Sequence, residues 1–426
     1  MRIVHVLDSF FPDSLGGTEN YVYFISQAML QFGHEVYVVS SKKGVSCEYD
    51  YEGIKVYRFM VSVSASKKEL IQQVAPEGLD SFTKIIKRIS PNVVHFHTFN
   101  RAINVYHLRA VKALGIKTVF TAHQSGIFCL KGTMLDEKGI PCNGDAFNNP
   151  CLRCYLSQTK SKNVAYIVSI AVGLLEKLGL LHIFPCPGFA YLHYNRKREL
   201  RDITKYSDCN IAISMWVYNT FKINRVNNIC LIPQGINPMF CISEEKCFKR
   251  ADANRLKLLF VGRIYPIKGL DIFCKALELI DSKKVEVTFA CVCGEDEYAL
   301  RIKETITSLP YFNWYENVPA DNVRKLMLKN DLLILPSRSE MSPLVVLEAL
   351  ACSLPVLGSN IAPITDSITD NVNGLIFEVN NPASMVEQLN KVIETSSIIN
   401  KLRKNIDAVR TLNNVADDLI QLYLKL

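Results

Sequence analysis

The sequence has no run of 18 or more uninterrupted apolar residues, and this absence predicts that the chain contains no transmembrane helix. It also lacks internal repeats and low-complexity segments, which argues against repeat architectures and long disordered tails. Residues 1–7 have the pattern of a short buried strand and lack the features of a secretory signal peptide. We therefore expect a globular protein that stays in the cytoplasm.

Strong charge of one sign is also missing. Lys and Arg number 49 against 41 Asp and Glu, so the net charge is +8 over 426 residues. This moderate excess suggests an anionic partner, and a nucleotide sugar, an acidic membrane surface and nucleic acid all remain open. The basic residues form no concentrated stripe and are not interleaved with aromatic residues, which argues against nucleic acid.

What the sequence does contain is an alternation of strand and helix patterns in two blocks. In the first block we predict strands at 3–7, 36–40, 93–97, 118–121 and 210–214, and the last of these ends the block. Helices are predicted at 18–32, 79–89 and 104–114, and 229–234 is the expected crossing to the second block. In the second block we predict strands at 258–261, 285–292, 332–335, 355–357 and 374–377. This alternation is typical of an α/β protein with parallel sheets covered by helices on both faces.

Length and composition agree with two domains. A hydrophobic content of 49% and a mean hydropathy of +0.11 allow large cores, and 426 residues suffice for two domains of ordinary size. We place an N-terminal domain at 1–230, a C-terminal domain at 231–405 and a final helix at 406–426 that returns to the first domain. Two such domains facing each other would form a cleft where the carboxyl ends of their strands meet.

The most informative motif is a pair of carboxylates, Glu340 and Glu348, across the start of a predicted helix. Eight residues of helix make just over two turns, so both side chains could face the same way. Glu348 lies in a largely apolar run, and burial of a carboxylate is unfavourable unless something binds it. A capped helix, with Glu340 in its first turn and Glu348 paired to a Lys, remains open on spacing alone.

The surrounding residues form an ordered series with this pair. A mostly apolar strand ends in Gly262-Arg263, Lys268-Gly269 follows, and Pro355-Val356 opens a later strand. The series resembles the C-terminal half of glycosyltransferase family 4, whose members are retaining enzymes of the GT-B fold with two Rossmann-like domains facing across a cleft. The resemblance implies a hexosyltransferase-type enzyme that moves a sugar from a nucleoside diphosphate donor, UDP- or GDP-linked, to an acceptor hydroxyl. It also suggests a role in bacterial surface polysaccharide or lipid-linked oligosaccharide synthesis.

The resemblance assigns roles to particular residues of the second domain. Arg263 and Lys268 would bind the donor diphosphate, Glu348 the ribose hydroxyls and Glu340 the transferred sugar. The expected catalytic set is Glu340, Arg263, Lys268 and His123, and the expected donor-binding set is Gly16, Gly17, Gly262, Ser342, Leu344, Val345, Glu348 and Gly294. Pro343 replaces a residue that would carry an amide N–H, so one backbone donor is missing beside Ser342.

Candidate residues of the first domain are fewer. Gly16 and Gly17 separate a strand from a helix, where the backbone can approach a ligand, although an ordinary tight turn would look the same. His123 matches the family's Thr-x-His segment, which favours a role at the sugar or the acceptor, but Gln124 stands where the family commonly has Asp. His95 and His97 should share one strand face, and they and Ser214 are left as structural or acceptor-side residues.

Four cysteines, Cys129, Cys142, Cys151 and Cys154, form a second motif in the loop 129–154, which is rich in Gly, Asn, Asp and Pro. Fourteen Cys without a secretory signal indicate a reducing compartment, hence thiols or metal ligands. A structural Zn²⁺ site is the expected use, while an iron–sulfur cluster and four unrelated thiols stay open. A subset of the family carries a similar loop. Asp-x-Asp is absent, and the resemblance implies that catalysis requires no metal cofactor.

The apolar segment 163–192 is the third feature. It could lie in a membrane interface or line a lipid-acceptor entrance, with Arg196, Lys197 and Arg198 meeting anionic headgroups. A buried helix explains the same pattern. We therefore expect a nucleotide-sugar donor, a lipid-linked or saccharide acceptor and no nucleic acid as partners, at the inner face of the plasma membrane if the segment binds lipid.

Three other functional classes remain as alternatives. A GT-B nucleotide-sugar epimerase would need no acceptor, and the Gly-Arg, Lys-Gly and Glu-x7-Glu series argues against it. A Zn-bearing nucleic-acid-binding protein is suggested only by the four Cys and the positive charge. A non-catalytic sugar-nucleotide sensor would keep the same residues. The sequence names neither the donor base and sugar nor the acceptor.

Overall fold

A computed structural model describes residues 1–14, 16–62, 64, 66–181, 187–242 and 255–426. The chain divides into two compact units. Unit 1 contains Met1–Pro233 and Leu412–Leu426, and unit 2 contains Gln234–Thr411. The C-terminal segment thus belongs to the same unit as the N-terminus. None of the described helices is long and apolar enough to cross a membrane.

Unit 1 is built on an eight-stranded sheet. Its strands are β1 (Arg2–Leu7), β2 (Glu35–Lys43), β3 (Cys47–Tyr51), β4 (Ile54–Val61), β5 (Val93–Phe96), β6 (Lys117–Thr121), β7 (Cys209–Ala212) and β8 (Ile229–Leu231). The strand order is β3-β4-β2-β1-β5-β6-β7-β8. Every neighbouring pair is parallel except β3 with β4. The helices of this unit before unit 2 begins are α1 (Gly17–Gln31), α2 (Lys67–Leu70), α3 (Leu79–Ile89), α4 (Val105–Ala113), α5 (Cys151–Leu156), α6 (Lys162–Lys177), α7 (Gly188–Tyr206) and α8 (Met215–Ile223).

Unit 2 is built on a six-stranded sheet. Its strands are β9 (Leu256–Arg263), β10 (Val285–Val292), β11 (Phe312–Glu316), β12 (Leu332–Leu335), β13 (Val356–Ser359) and β14 (Gly374–Phe377). All neighbours are parallel, in the order β11-β10-β9-β12-β13-β14. Its helices are α9 (Leu270–Leu279), α10 (Glu297–Thr307), α11 (Ala320–Lys329), α12 (Leu344–Ala351), α13 (Ala362–Thr365), α14 (Pro382–Glu394) and α15 (Ser397–Lys404).

The last helix, α16 (Leu412–Lys425), completes the core of unit 1. Its buried residues fall at helical spacing, and Val415, Leu419 and Tyr423 pack in one core with the buried face of α1. The Tyr423 hydroxyl also lies 2.6 Å from Nδ1 of His95 on β5. Apolar contact and a buried hydrogen bond therefore join the end of the chain to the first sheet.

The sheets differ from the prediction in three places. The strand predicted at 210–214 is β7 at Cys209–Ala212, and Ser214 caps α8 instead. β7 is not the last strand of the sheet, because the segment expected as a crossing, 229–234, contributes the edge strand β8. Strands β3, β4 and β11 were not predicted. β3 and β4 form an antiparallel pair at the other edge, where one face is open and polar residues interrupt the apolar pattern.

Candidate active site

In unit 2, the carboxyl end of β9 leads directly into a tight basic turn. Arg263 ends the strand, is exposed, and has no side-chain hydrogen bond or ion pair among the described residues. A single 3₁₀ turn, Pro266–Lys268, follows and ends at Gly269, whose φ is +68°. A Cβ at Gly269 would lie 2.0 Å from the Pro336 carbonyl oxygen, so only glycine fits there. The backbone therefore fixes the start of α9 and, with it, the turn that carries Lys268.

Lys268 and Glu340 meet in an ion pair. The Lys268 Nζ atom lies 2.6 Å from Oε1 of Glu340, and the Ser337 hydroxyl donates to the same oxygen at 2.7 Å. The side chains of Lys268 and Glu340 are 26% and 10% exposed, so solvent screens this pair less than a surface pair. The second oxygen, Oε2, forms no hydrogen bond with any other residue in the described part of the chain. Two segments that lie 72 residues apart in the sequence, and that the family resemblance marks as functional, are thus in direct contact.

Arg338, which was not predicted from the sequence, holds this turn in place. Its guanidinium forms two hydrogen bonds to the Asp271 carboxylate, at 2.8 and 2.7 Å, and a third to the Pro266 carbonyl at 2.5 Å. The hydrogen bonds to Asp271 raise the pKa of Arg338. Burial alone would raise the pKa of Asp271, but the hydrogen bonds from Arg338 outweigh it and lower that pKa. Arg338 could have been identified in the sequence by its position, two residues before Glu340.

Helix α12 begins at Leu344, and this corrects the prediction for the two glutamates. Glu340 lies in the loop before the helix, so its eight-residue spacing from Glu348 is not a helical spacing, and Glu340 is not in the first turn. Pro343 is the N-cap and provides no side-chain cap. Leu344 and Val345 therefore start the helix with amides that lack intrahelical acceptors. Ser342 lies in the bend just before them.

Glu348 projects from the second turn of α12. It is half-buried, and its carboxylate has no hydrogen-bond or ion-pair partner among the described residues. Burial raises its pKa from 4.5 to about 7. The alternative that Glu348 pairs with a Lys is therefore wrong. A half-buried carboxylate without a partner is suited to accept hydrogen bonds from a ligand.

The other residue predicted in this unit, Gly294, lies at the same end of the sheet. It follows β10, whose Val292 is paired with Arg263 of β9. Gly294 is exposed and precedes Asp296, the N-cap of α10. Gly262 precedes Arg263 with a φ of +156°. Gly262, Arg263 and Gly294 thus lie together at the carboxyl ends of β9 and β10, next to the turn that carries Lys268.

In unit 1, the glycine pair begins α1 as predicted. Gly16 is the N-cap and Gly17 the first helical residue, and no side chain caps the helix. Glu19 turns back towards the preceding loop and accepts hydrogen bonds from Ser9 at 3.0 Å and Ser14 at 2.8 Å. The amides at the start of α1 thus lie on a loop that these bonds hold in shape.

A chain of histidines crosses the sheet of unit 1. Nδ1 of His5 lies 2.9 Å from Nε2 of His97, and Nδ1 of His97 lies 3.1 Å from Nε2 of His123. The His95 ring packs 4.0 Å from that of His97, as expected for residues two apart on a strand. Both nitrogens of His95 are also engaged, with Tyr423 and Thr121, each at 2.6 Å. The sequence pattern indicated His123 but not its connection to His5.

The ligand atoms of His5, His95 and His97 all lie within 4.8 Å of one another, which is close enough for a metal ion. Five of their six nitrogens already form hydrogen bonds, and the exception is Nε2 of His5. Metal binding would break those bonds, so we interpret the group as a hydrogen-bonded chain. Burial lowers the pKa of His5 and of His123 to about 3, and both are neutral at physiological pH.

The unpaired nitrogen of His5 indicates the direction of the chain. A buried N–H without an acceptor is less favourable than a buried acceptor without a donor. We therefore assign the hydrogen of His5 to Nδ1, from which it is donated to His97. His97 then donates from Nδ1 to His123, whose own Nδ1 carries a hydrogen. This order would make His123 a hydrogen-bond donor towards a ligand.

Ser214 has a structural role in addition to any role at a ligand. It is the N-cap of α8, and its hydroxyl accepts a hydrogen bond from the amide of Val217 at 3.2 Å. Capping of this kind stabilises a helix by about 1 kcal/mol. A serine at the end of a strand and the start of a helix is explained by this bond alone.

The four cysteines of the 129–154 loop all lie in unit 1 around one cavity. Cys129 follows a 3₁₀ turn, Cys142 lies in the irregular loop, and Cys151 and Cys154 are on α5. All four are half-buried free thiols. Burial, together with the three neighbouring thiols, raises the pKa of Cys151 to about 12.

The apolar segment 163–192 contains α6 and part of α7, while residues 182–186 lie outside the described residues. The three cations expected to meet headgroups are bound within unit 1 instead. Arg196 pairs with Glu199 at 2.5 Å, Lys197 with Glu176 at 3.2 Å, and Arg198 donates to the Gln72 carbonyl at 2.7 Å. A membrane contact would therefore depend on other groups of this segment.

Comparison with known proteins gives matches along most of the chain. Residues 15–137 match the family model described as Glycosyltransferase Family 4, and residues 243–409 match the model described as Glycosyl transferases group 1. An uncharacterised glycosyltransferase of Methanocaldococcus jannaschii is 28% identical over 238 residues, which cover 54% of this chain and 64% of that protein. The chain thus spans less than two thirds of this relative.

Two further similarities cover the whole chain. The GPI3 subunit of the phosphatidylinositol N-acetylglucosaminyltransferase of Saccharomyces cerevisiae is 22% identical over 449 aligned positions, covering 99% of this chain and 82% of that one. The crystal structure of Anabaena HepE with UDP and glucose has a TM-score of 0.67 at 14% identity, with all of both chains covered. At this identity the structural similarity shows the fold, and the fold is GT-B.

Proposed function

We propose a reaction for this chain, which belongs to glycosyltransferase family 4: it transfers a hexose from a nucleoside diphosphate sugar, UDP- or GDP-linked, to an acceptor hydroxyl with retention of configuration. The observation that carries the proposal is the contact between Lys268 and Glu340, close in the fold to Arg263, whose side chain has no partner in the part of the chain that the structure describes. These residues place two positive charges and one carboxylate at the carboxyl end of β9. Ligands of open α/β sheets bind at this end of the strands.

Glu348 would recognise the nucleotide. A vicinal diol, such as that of a ribose, donates two hydrogen bonds, and Glu348 offers a carboxylate that has no other described partner. Binding would stabilise the charged form of this group, whose pKa burial raises to about 7. The amides of Leu344 and Val345, with that of Ser342 before them, could contact phosphate or sugar oxygens. HepE, which has this fold, is known in complex with UDP.

Arg263 and Lys268 would promote departure of the diphosphate. Negative charge develops on the leaving phosphate as the glycosidic bond breaks, and fixed cations stabilise that charge in the transition state. Because these two side chains supply the charge, we propose that no divalent ion is needed there. Glu340 holds Lys268 through Oε1, which leaves Oε2 to contact a sugar hydroxyl.

The sugar would pass through an oxocarbenium-like state. The acceptor hydroxyl would attack from the face that the diphosphate leaves, and a leaving phosphate oxygen would accept its proton. No protein nucleophile is assigned. In unit 1, Gly17 and His123 are the groups proposed to lie near the substrates, with His123 donating a hydrogen bond from Nδ1.

The acceptor is proposed to be lipid-linked, as in bacterial surface polysaccharide or lipid-linked oligosaccharide synthesis. Helix α6 supports this because its apolar face is exposed: Ile167, Ile170, Leu174 and, just after the helix, Leu178 are 66%, 54%, 57% and 60% exposed. These four positions fall on one side of a helix. The relative in yeast is named for a phosphatidylinositol acceptor. We propose that α6 rests on the membrane surface that holds the acceptor.

Calorimetric titration with UDP-, GDP-, ADP- and dTDP-sugars tests the proposal. We expect one donor to bind, with Glu348→Ala weakening it about 10- to 100-fold, because hydrogen bonds to a charged group are lost. Lys268→Ala should lower the rate at which that donor is transferred or hydrolysed on the order of 10²- to 10³-fold. Lys275→Ala and Glu278→Ala, which change exposed residues of α9, are matched controls and should behave as wild type.

Product analysis tests the stereochemistry. The anomeric configuration of the transferred sugar, read from NMR coupling constants, should equal that of the donor. An inverted product would refute retention while leaving the donor site intact. A donor that binds equally to wild type and to both site variants would refute the site assignment. Binding without any transfer or hydrolysis, with every acceptor supplied, would favour the sensor alternative.

A further inference from the structure

The cysteine loop of unit 1 encloses a cavity that the proposed reaction does not use. The cavity has a volume of about 420 Å³ and is lined by Cys129, Cys142, Cys151 and Cys154. None of the four thiols is in a disulfide. Four free thiols from three separate segments thus converge on one space.

The loop that carries them has little regular structure. Between the 3₁₀ turn that ends at Ile127 and the start of α5 at Cys151, it forms neither helix nor strand, and a single bridge joins Leu135 to Pro141. Connections of this length without secondary structure are uncommon in compact domains unless they have a function. A cross-link within the loop would supply the stability that apolar packing does not.

Cys142 is held in the manner of a metal-bound sulfur. Its Sγ atom accepts a hydrogen bond from the Gly144 amide at 3.5 Å and from the Asn149 side-chain amide at 3.4 Å. A thiol sulfur is a weak acceptor, whereas a thiolate gains from two N–H donors. Gly144 has a φ of +76°, and a Cβ there would lie 2.7 Å from Thr220. The turn that directs this amide at the sulfur therefore requires glycine.

We propose that Cys129, Cys142, Cys151 and Cys154 bind one Zn²⁺ ion that cross-links the loop. Four thiolates around one ion satisfy the tetrahedral preference of zinc, with the Cys-x2-Cys pair on α5. Lys131 also lines the cavity, and its charge would offset part of the net negative charge of the centre, whereas Arg153, on the same wall, is paired with Glu137 at 3.1 Å. Each thiol releases its proton to solvent as its sulfur binds the metal.

Binding would draw the sulfurs together. Among the described residues, the only group of three or more candidate ligands within 4.8 Å of one another is the histidine group. In a tetrahedral centre with Zn–S bonds of about 2.3 Å, sulfurs lie ~3.8 Å apart. The irregular loop between Cys129 and Cys151 can make this adjustment without moving the sheet. We therefore expect the loop to become more ordered with zinc.

Metal analysis of the full-length protein, purified under reducing conditions without a metal-affinity column, tests the proposal. We expect one zinc per chain, and its loss in Cys142→Ser and Cys154→Ser. Cys47→Ser, which removes a half-buried thiol of β3 in the same unit, is the matched control and should retain the metal. Iron with inorganic sulfide would overturn the zinc assignment, and a wild type without metal would overturn the proposal.

Two measurements on wild type avoid variants that fail to fold. After removal of zinc by a chelator, Co²⁺ should give the visible absorption of a tetrahedral thiolate centre. Mass spectrometry after alkylation should show the four cysteines protected with zinc and modified after chelation, while Cys47 reacts equally in both states. Alkylation of all five at the same rate in the zinc-loaded protein would contradict the proposal.

Discussion

At the scale of single residues, Glu348 has an environment that makes stability depend on pH. Its pKa in the folded chain is raised by burial from 4.5 to about 7, so the folded state holds this proton more tightly than the unfolded state. The stability that depends on this proton is present below pH 4.5 and is lost as pH rises through about 7. A shift of this size corresponds to roughly 3 kcal/mol.

We predict that Glu348→Gln removes this dependence. The variant should unfold with a free energy that changes less between pH 5 and pH 8, because glutamine cannot ionise. Chemical denaturation at several pH values measures this free energy of unfolding. Glu278→Gln, at an exposed position of α9, is the control. Equal pH dependence in wild type and Glu348→Gln would show that the carboxylate is already ionised in the folded chain at pH 5.

The sequence predicted single residues unevenly. Arg263, Lys268, Glu340 and Glu348 were selected because their order in the chain resembles a family. Arg338 was not, because its role depends on Asp271, 67 residues earlier, and only folding brings the two together. The same applies to His5, whose connection to His123 runs through His97 across neighbouring strands. Pairing between distant segments leaves no local sequence pattern.

At the scale of elements, periodic patterns predicted most helices and strands. Helix α3 spans Leu79–Ile89 as predicted, because its apolar residues recur at helical spacing. β3 was missed since Cys47–Tyr51 alternates half-buried and exposed residues. The alternative that 163–192 is a buried helix of the first domain holds for one side of α6, where Ala165 and Val172 are buried, and is wrong for the other side, whose apolar residues are exposed. Sequence alone cannot distinguish a core face from an interaction face.

The exposed side of α6 leads to a prediction for the element. Lys160, Lys162 and Lys177 flank it and are exposed, and the acid of this helix, Glu176, pairs with Lys197. Apolar side chains flanked by cations fit an anionic lipid surface. We predict that the protein sediments with vesicles containing phosphatidylglycerol, and that a smaller fraction sediments at high salt. The double substitution Ile170→Glu and Leu174→Glu should abolish vesicle binding.

The control for that prediction is Leu300→Glu, which changes a leucine of α10 that is 58% exposed and should leave vesicle binding intact. Size-exclusion chromatography of the same variants tests the other occupant of the surface. If wild type is a dimer that the α6 variant dissociates, and neither protein binds vesicles, a second copy of the chain covers this face.

At the scale of the whole molecule, the two units should respond to pH in opposite directions. All eight histidines belong to unit 1. Burial lowers the pKa of His5 and His107 to about 3, and that of His95 and His97 well below the usual 6.5. These histidines are neutral in the folded state but gain a proton more easily in the unfolded state. Their contribution to the free energy of unfolding is therefore fully present above pH 6.5 and is lost as pH falls towards 3. Unit 2 contains Glu348, whose contribution has the opposite sign.

The two tryptophans allow each unit to be followed separately, since Trp216 lies in unit 1 and Trp314 in unit 2. In Trp314→Phe, fluorescence reports unit 1, and in Trp216→Phe it reports unit 2. Between pH 7 and pH 5 we expect unit 1 to become easier to unfold with denaturant, while unit 2 changes little or becomes more stable. Parallel loss of stability by both units would contradict the assignment of the effect to the histidines.

Substitution of one histidine isolates its contribution to the pH dependence of stability in unit 1. His107 is buried between Phe59 and Phe82, and its Nδ1 accepts a hydrogen bond from the Asn104 amide at 3.2 Å. A second proton would have to bind at Nδ1 and break this bond inside the core, so protonation of the folded His107 is unfavourable. We predict that His107→Phe reduces the slope of unfolding free energy against pH by about 1.4 kcal/mol per pH unit near pH 5, because one fewer proton is taken up on unfolding. Phe82→Leu should instead lower stability about equally at every pH, since it changes packing without changing a titrating group.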